Sequence, residues 1–179
     1  MLGKIDFLPM AIDLLAVVSI LTDLLFGKIY NWTTLPAVVL GLLLSFILLG
    51  WQGGALALLS VLLALLLYGG LFWLGVMGAG DVKLLMALGA WGGVGFTFQV
   101  AVLGILCGGV YGLFLLLFRG QLLDFYLRVQ QFLLALMLRD LEVQPLHLNP
   151  RRKMPFGVPL CIAAVLIVHF QPFHWMGWG

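Results

Sequence analysis

The chain is a succession of apolar runs separated by short polar or glycine-rich breaks. A membrane-spanning helix needs about 20 predominantly apolar residues. On that measure the first span runs from Leu8 to Phe26. A polar turn, Gly27-Lys28-Ile29-Tyr30-Asn31-Trp32-Thr33-Thr34, follows it. The second span runs from Leu35 to Trp51, with Pro36 suited to a first helical turn. Gln52-Gly53-Gly54 interrupts the pattern, and the third span runs from Ala55 to Met77.

The stretch from Val82 to Phe118 is too long for one helix and slightly short for two full spans. Gly92-Gly93-Val94-Gly95 is its natural break. The pattern predicts a short fourth helix from Val82 to Trp91 and a fifth from Phe96 to Phe118. From Arg119 to Lys153 the chain becomes charged. There Asp124, Arg128, Gln131 and Arg139 fall near one helical face, and leucines, Phe132 and Met137 occupy the rest. That arrangement predicts an amphipathic helix lying in the membrane interface. Glu142 to Pro150 reads as loop. A sixth span starts near Met154 and ends near Phe170, with Trp175 and Trp178 as interfacial anchors. The expected fold class is all-α: a polytopic membrane helix bundle of about six transmembrane helices. An interfacial amphipathic helix joins helices 5 and 6, and residues 1–179 form a single membrane-embedded domain.

Composition agrees with the pattern. The chain is 64% hydrophobic and 9% charged, with mean hydropathy +1.19. A soluble domain is about half apolar and about a quarter charged. The formal net charge of +2 gives no footing for nucleic acid as a partner. Cys107 and Cys161 both lie within apolar runs, without CxxC pairing, and read as packed membrane cysteines. The first run lacks a small-residue cleavage site and reads as a retained helix.

Charge placement orients the bundle. Six spans put the N-terminus on one side and the connections 1–2, 3–4 and 5–6 on the other. The second side collects Lys28, Lys83, Arg119, Arg128, Arg139, Arg151, Arg152 and Lys153; the first collects only Lys4. By the positive-inside rule the lysine- and arginine-rich side is cytoplasmic. Asp23, at the end of span 1, and Asp81, at the start of span 4, then share the cytoplasmic leaflet.

Those two aspartates are the candidate chemistry. An ionisable group at membrane depth is costly and is a functional hypothesis by default. Two carboxyl groups at close range cannot easily both ionise, so such a pair holds one shared proton at intermediate pH. The ionised member takes a proton from water, and the protonated member donates to a carbonyl oxygen. Gly78 and Gly80, beside Asp81, are free to adopt positive φ and to let another backbone approach. Lys83 is placed to tune a carboxylate, to hold substrate, or to reach the interface. Asn31 orients the first loop or contacts substrate. Asp13, about 15 Å along its helix from Asp23, is expected to make a polar contact inside the bundle, and Asp6 to be solvated. Arg151, Arg152 and Lys153 suit anionic lipid headgroups. His147, His169 and His174 lack ligand spacing, so neither a metal nor another cofactor is expected.

The string Met77-Gly78-Ala79-Gly80-Asp81-Val82-Lys83-Leu84-Leu85, followed by Ala87-Leu88-Gly89-Ala90-Trp91, resembles the Gly-x-Gly-Asp core of the type IV prepilin peptidases, which are membrane aspartic proteases. Thr22-Asp23, with Lys28-Ile29-Tyr30-Asn31-Trp32 and Leu35-Pro36, resembles the family's first catalytic segment. Lys153-Met154-Pro155-Phe156-Gly157 resembles the Pro-Phe-Gly segment that opens its last helix. The three segments occur in the family's order. Tyr30 stands where the family usually has proline, and Val158-Pro159 replaces the usual Pro-Phe.

The resemblance implies that Asp23 and Asp81 are a catalytic pair, with Gly78, Gly80 and Lys83 supporting them. It makes Asn31, Pro155 and Gly157 candidate substrate-loop residues. It further implies that a bacterial or archaeal inner-membrane enzyme cleaves the short basic leader of a prepilin or pseudopilin, after a glycine. The chain is similar to the short form of the family, without the N-terminal cysteine-containing methyltransferase region. Two other readings remain open at this point. One is a small proton-coupled transporter or channel with Asp13, Asp23 and Asp81 as its path. The other is a scaffold whose aspartates merely pair with Lys28 or Lys83.

Overall fold

The computed structural model describes residues 7–74, 76–118, 130 and 156–170. Four helices account for nearly all of them: α1 Phe7–Phe26, α2 Asn31–Trp73, α3 Ala79–Phe118 and α4 Gly157–Phe170. No strand occurs among the described residues. α1, α2 and α3 are long and apolar enough to cross a membrane, whereas α4 is shorter. Segment 119–153, where the interfacial helix is expected, lies outside the described residues apart from Gln130. Pro155, Trp175 and Trp178 lie outside them as well.

Two of the helices are not straight rods. A straight 43-residue helix would run roughly 65 Å, about twice the hydrocarbon thickness of a bilayer. α2 instead turns at Gly50, whose φ of 67° and ψ of −160° are non-helical. Ser45 and Ser60, on either side of that turn, both reach the same part of α3. Ser45 Oγ donates to Ala90 O at 3.4 Å, and a Cβ at Gly89 would stand 3.3 Å from Ser60 O. α2 is therefore a helical hairpin. α3 turns in the same way at Gly93 (φ 82°, ψ −179°), which brings Thr97 back over Gly89.

The second break lies within the expected Gly92–Gly95 segment. The first does not lie at Gln52-Gly53-Gly54. Gly53 and Gly54 are helical and serve close approach: a Cβ at Gly53 would stand 2.5 Å from Ser45 O. Gly50 alone takes the left-handed conformation there. α2 also begins at Asn31, four residues before the expected Leu35. Extended Tyr30 precedes it, and Thr33 Oγ1 donates to Tyr30 O at 2.8 Å.

The chain divides into two compact units, Met1–Gly108 with Pro155–Gly179, and Gly109–Met154. In the first, Ile12 and Ala16 of α1, Tyr68 of α2, Leu85 and Leu88 of α3, and Leu160 and Ala164 of α4 share one buried core. Alanines occupy the closest contacts: Ala16, Ala64, Ala87, Ala90, Ala163 and Ala164 are all fully buried. Large aliphatic residues such as Leu14, Ile47 and Leu66 face outward. Small residues inside and leucines outside is the arrangement of helices packing in lipid. Side-chain donors within the bundle cross between helices, as the lack of water in a membrane interior demands. Trp91 Nε1 donates to Ala37 O at 2.8 Å, and Tyr68 Oη to Ala101 O at 3.1 Å. In the second unit, the Phe114 and Phe118 rings pack with centroids 4.3 Å apart.

Candidate active site

Each candidate aspartate is held by a helix end. α1 stops at Gly27, whose φ of 61° permits its N–H to donate to Asp23 O at 2.9 Å. This is the left-handed glycine cap. It places Asp23 in the last turn of α1, and Asp23 is only 6% exposed. At α3 the order is reversed. Asp81 lies in the first turn, and its Oδ2 accepts the Gly78 N–H at 3.1 Å. The Asp81 N–H returns to Gly78 O, also at 3.1 Å. A carboxylate at this position satisfies a backbone donor that the helix start leaves unpaired. Asp81 is 7% exposed.

The connection between α1 and α2 joins the two ends through Ile29. A Cβ at Gly80 would stand 3.1 Å from Ile29 Cβ, and one at Gly157 would stand 2.8 Å from Ile29 Cδ1. Ile29 therefore sits between the first turns of α3 and α4. Gly157 also abuts Asp23: its Cβ would lie 2.7 Å from Asp23 Oδ2. The Gly157 and Val158 amides face the Asp23 carboxylate, although no donor among the described residues meets hydrogen-bond geometry at Oδ2. Buried Cys161, one turn further along α4, lies within electrostatic reach of both Asp23 and Asp81. Tyr68 lies within reach of Asp81, and its ring meets Phe156 edge-on with centroids 6.3 Å apart.

One end of this unit thus collects the end of α1 and the starts of α2, α3 and α4. Asp23, Gly78, Gly80, Asp81 and Gly157 are all there. Asn31 and Lys83 join them as a pair, with Lys83 Nζ donating to Asn31 Oδ1 at 2.8 Å. That bond ties the start of α2 to the start of α3. Pro155 lies outside the described residues.

The glycines act differently from the expectation of positive φ. Among the described residues only Gly27, Gly50 and Gly93 have it. Gly78 and Gly80 instead provide clearance, Gly78 for Asp81 Oδ2 and Gly80 for Ile29.

Residues 10–113, more than half of the chain, match the type IV leader peptidase family. The chain belongs to that family. Membership makes it a peptidase of the leader-peptidase type, with prepilin-like proteins as its general substrate class. Its apolar helices make this family member a membrane protein. The match includes Asp23, Asn31, Gly78, Gly80, Asp81 and Lys83, and ends before Gly157. No curated protein and no solved structure matches the chain significantly.

Asp13 is away from this constellation. Its carboxylate meets His169 Nε2 at 2.9 and 3.2 Å, which ties α1 to the last turn of α4. The polar contact expected inside the bundle is instead a part-exposed pair, and its partner was not apparent from sequence. Ile29 was missed as a neighbour of both helix starts, because one isoleucine in a polar turn carries no distinguishing signal. Tyr68, a phenol within an apolar span, was a signal left unused.

Proposed function

We propose that Asp23 and Asp81 are the catalytic dyad of a membrane aspartic endopeptidase that removes the short basic leader of prepilin-like proteins. The observation that carries this reading is the convergence of two buried carboxylates at one end of one unit, linked through Gly157, Ile29 and Gly80. Both stand against helix starts, whose free amides favour a negative charge.

In the proposed reaction the ionised carboxylate takes a proton from water as the water oxygen bonds to the scissile carbonyl carbon. The protonated carboxyl gives its proton to the carbonyl oxygen. The tetrahedral intermediate then collapses, the C–N bond breaks, and the proton taken from water passes to the leaving nitrogen. One water is consumed, yielding a new carboxylate and a new amine. The dyad regains its single proton. Gly78 and Gly80 keep the approach to Asp81 narrow in side-chain bulk, and Lys83 with Asn31 fixes the loop beside it.

The hairpin turns at Gly50 and Gly93 give six helical segments, and we assign each to a membrane span, with α4 and the first half of α3 the shortest. Lys28 and Lys83 flank the site end, so the positive-inside rule turns that end to the cytoplasm. There it meets a leader before export. The engagement of Asp13 by His169 speaks against a proton path running through all three aspartates.

The reading is tested by incubating the purified protein in lipid with a prepilin-like substrate: a basic leader ending in glycine, followed by an apolar helix. Mass spectrometry of the products should place a single cut after that glycine. Intact substrate, or cuts scattered through the chain, would overturn it.

A further inference from the structure

Hydroxyl groups on buried helices ordinarily return their hydrogen to a carbonyl one turn back. Among the described residues, Thr97 donates to Gly93 O at 2.8 Å, Ser60 to Leu56 O at 2.7 Å, Thr22 to Ser19 O at 3.1 Å and Thr34 to Tyr30 O at 3.4 Å. Ser19 departs from that habit. Its side chain is fully buried, and its Oγ has no hydrogen-bond partner among the described residues. Asp23 Oδ2 is the other buried side-chain oxygen in that condition.

The two orphans are four residues apart on α1, hence on one face, with Cβ atoms about 6 Å apart. Helical side chains lean toward the N-terminus, so the Asp23 carboxylate inclines over the turn that carries Ser19. The two groups make no direct bond to one another. A buried water needs two to four polar partners, and a hydroxyl with a carboxylate oxygen meets that need. The Gly157 and Val158 amides of α4 also face the Asp23 carboxylate, and Cys161 lies within electrostatic reach of it.

We propose that Ser19 is a positioning residue: its hydroxyl and Asp23 Oδ2 together hold one buried water that fixes the orientation of the Asp23 carboxylate. The proposal rests on the reading of Asp23 as catalytic. Ser19 lies one turn deeper than Asp23, away from the end of the unit where Asp81 and the first turn of α4 converge. The water is therefore a structural ligand of the carboxylate and not the attacking nucleophile.

The test is steady-state cleavage by full-length Ser19→Ala, Ser19→Thr and Ser19→Val in lipid, with Asp23→Asn alongside. Alanine is the best helix former, so Ser19→Ala should melt close to the parent. Its kcat should nevertheless fall about tenfold, the scale of one lost hydrogen bond to a charged group, with KM changed less than about twofold. Ser19→Thr, which keeps the hydroxyl, should retain more kcat than its isostere Ser19→Val. Parental kcat in Ser19→Ala, or a change confined to KM, with Asp23→Asn inactive, would overturn the role of Ser19 alone. Cleavage by Asp23→Asn would instead remove the reading beneath it.

Discussion

Gly157 and Asp23 meet so closely that the glycine has no room for a side chain: a Cβ there would stand 2.7 Å from Asp23 Oδ2. The contact joins the start of α4 to the end of α1 and makes the carboxylate's position depend on a residue far away in sequence. Gly157→Ala must displace either the carboxylate or Ile29, whose Cδ1 would be 2.8 Å away. Overpacking of this kind costs about 1–3 kcal/mol. Cleavage should fall at least about tenfold while the protein still accumulates in membranes. Adding Ile29→Val removes Cδ1 and should recover melting temperature without recovering full activity, as followed by thermal melts and cleavage rates.

The Lys83–Asn31 bond is short but exposed, and exposed polar pairs contribute little, about 0–1 kcal/mol. Lys83→Met keeps the apolar stem and should lower the cleavage rate by about threefold or less. Asn31→Ala in the Lys83→Met background should add little further, because the two groups act through one bond. Rates for the two single variants and the double variant measure that coupling.

His169 and Asp13 hold the other ends of α4 and α1 together, with both side chains part-exposed. Their loss should lower stability by about 1 kcal/mol without touching the chemistry. Asp13→Asn and His169→Gln are each expected to melt slightly lower and to cleave at the parental rate. A dead Asp13→Asn protein would favour the proton-path reading instead.

Gly93 has φ of 82°, and the space where its Cβ would go is open. Gly93→Ala therefore isolates backbone strain from steric clash. It should cost about 1–3 kcal/mol, seen as a lower melting temperature, whereas Gly109→Ala, with open space and no positive φ, should be neutral or stabilising.

How much of this was legible in the sequence depended on how local the cause was. Asp23 and Asp81 stood out because a carboxylate in an apolar run is anomalous wherever it lies. The reversal in α3 was readable because its glycines cluster. Gly50 was not separable from Gly53 and Gly54: all three break the apolar pattern, and only the packing of Ser45 and Leu49 against Gly53 decides which one turns. The Asp13–His169 pair spans 156 positions and depends on the register of α1 against α4. The same is true of Ile29, whose role comes from two helix starts that meet only after folding. The unpartnered state of Ser19 is a property of rotamer and burial, which composition does not encode.

The proposed role of the two buried carboxylates is the chemistry itself. Its most direct measurement is leader cleavage by Asp23→Asn and Asp81→Asn, each in membranes at the parental protein level. Asparagine keeps the shape and loses the titratable carboxyl group. Each variant alone should abolish cleavage, by at least about a thousandfold, with melting temperature near the parental value. Cleavage by either variant within about tenfold of the parent would contradict it.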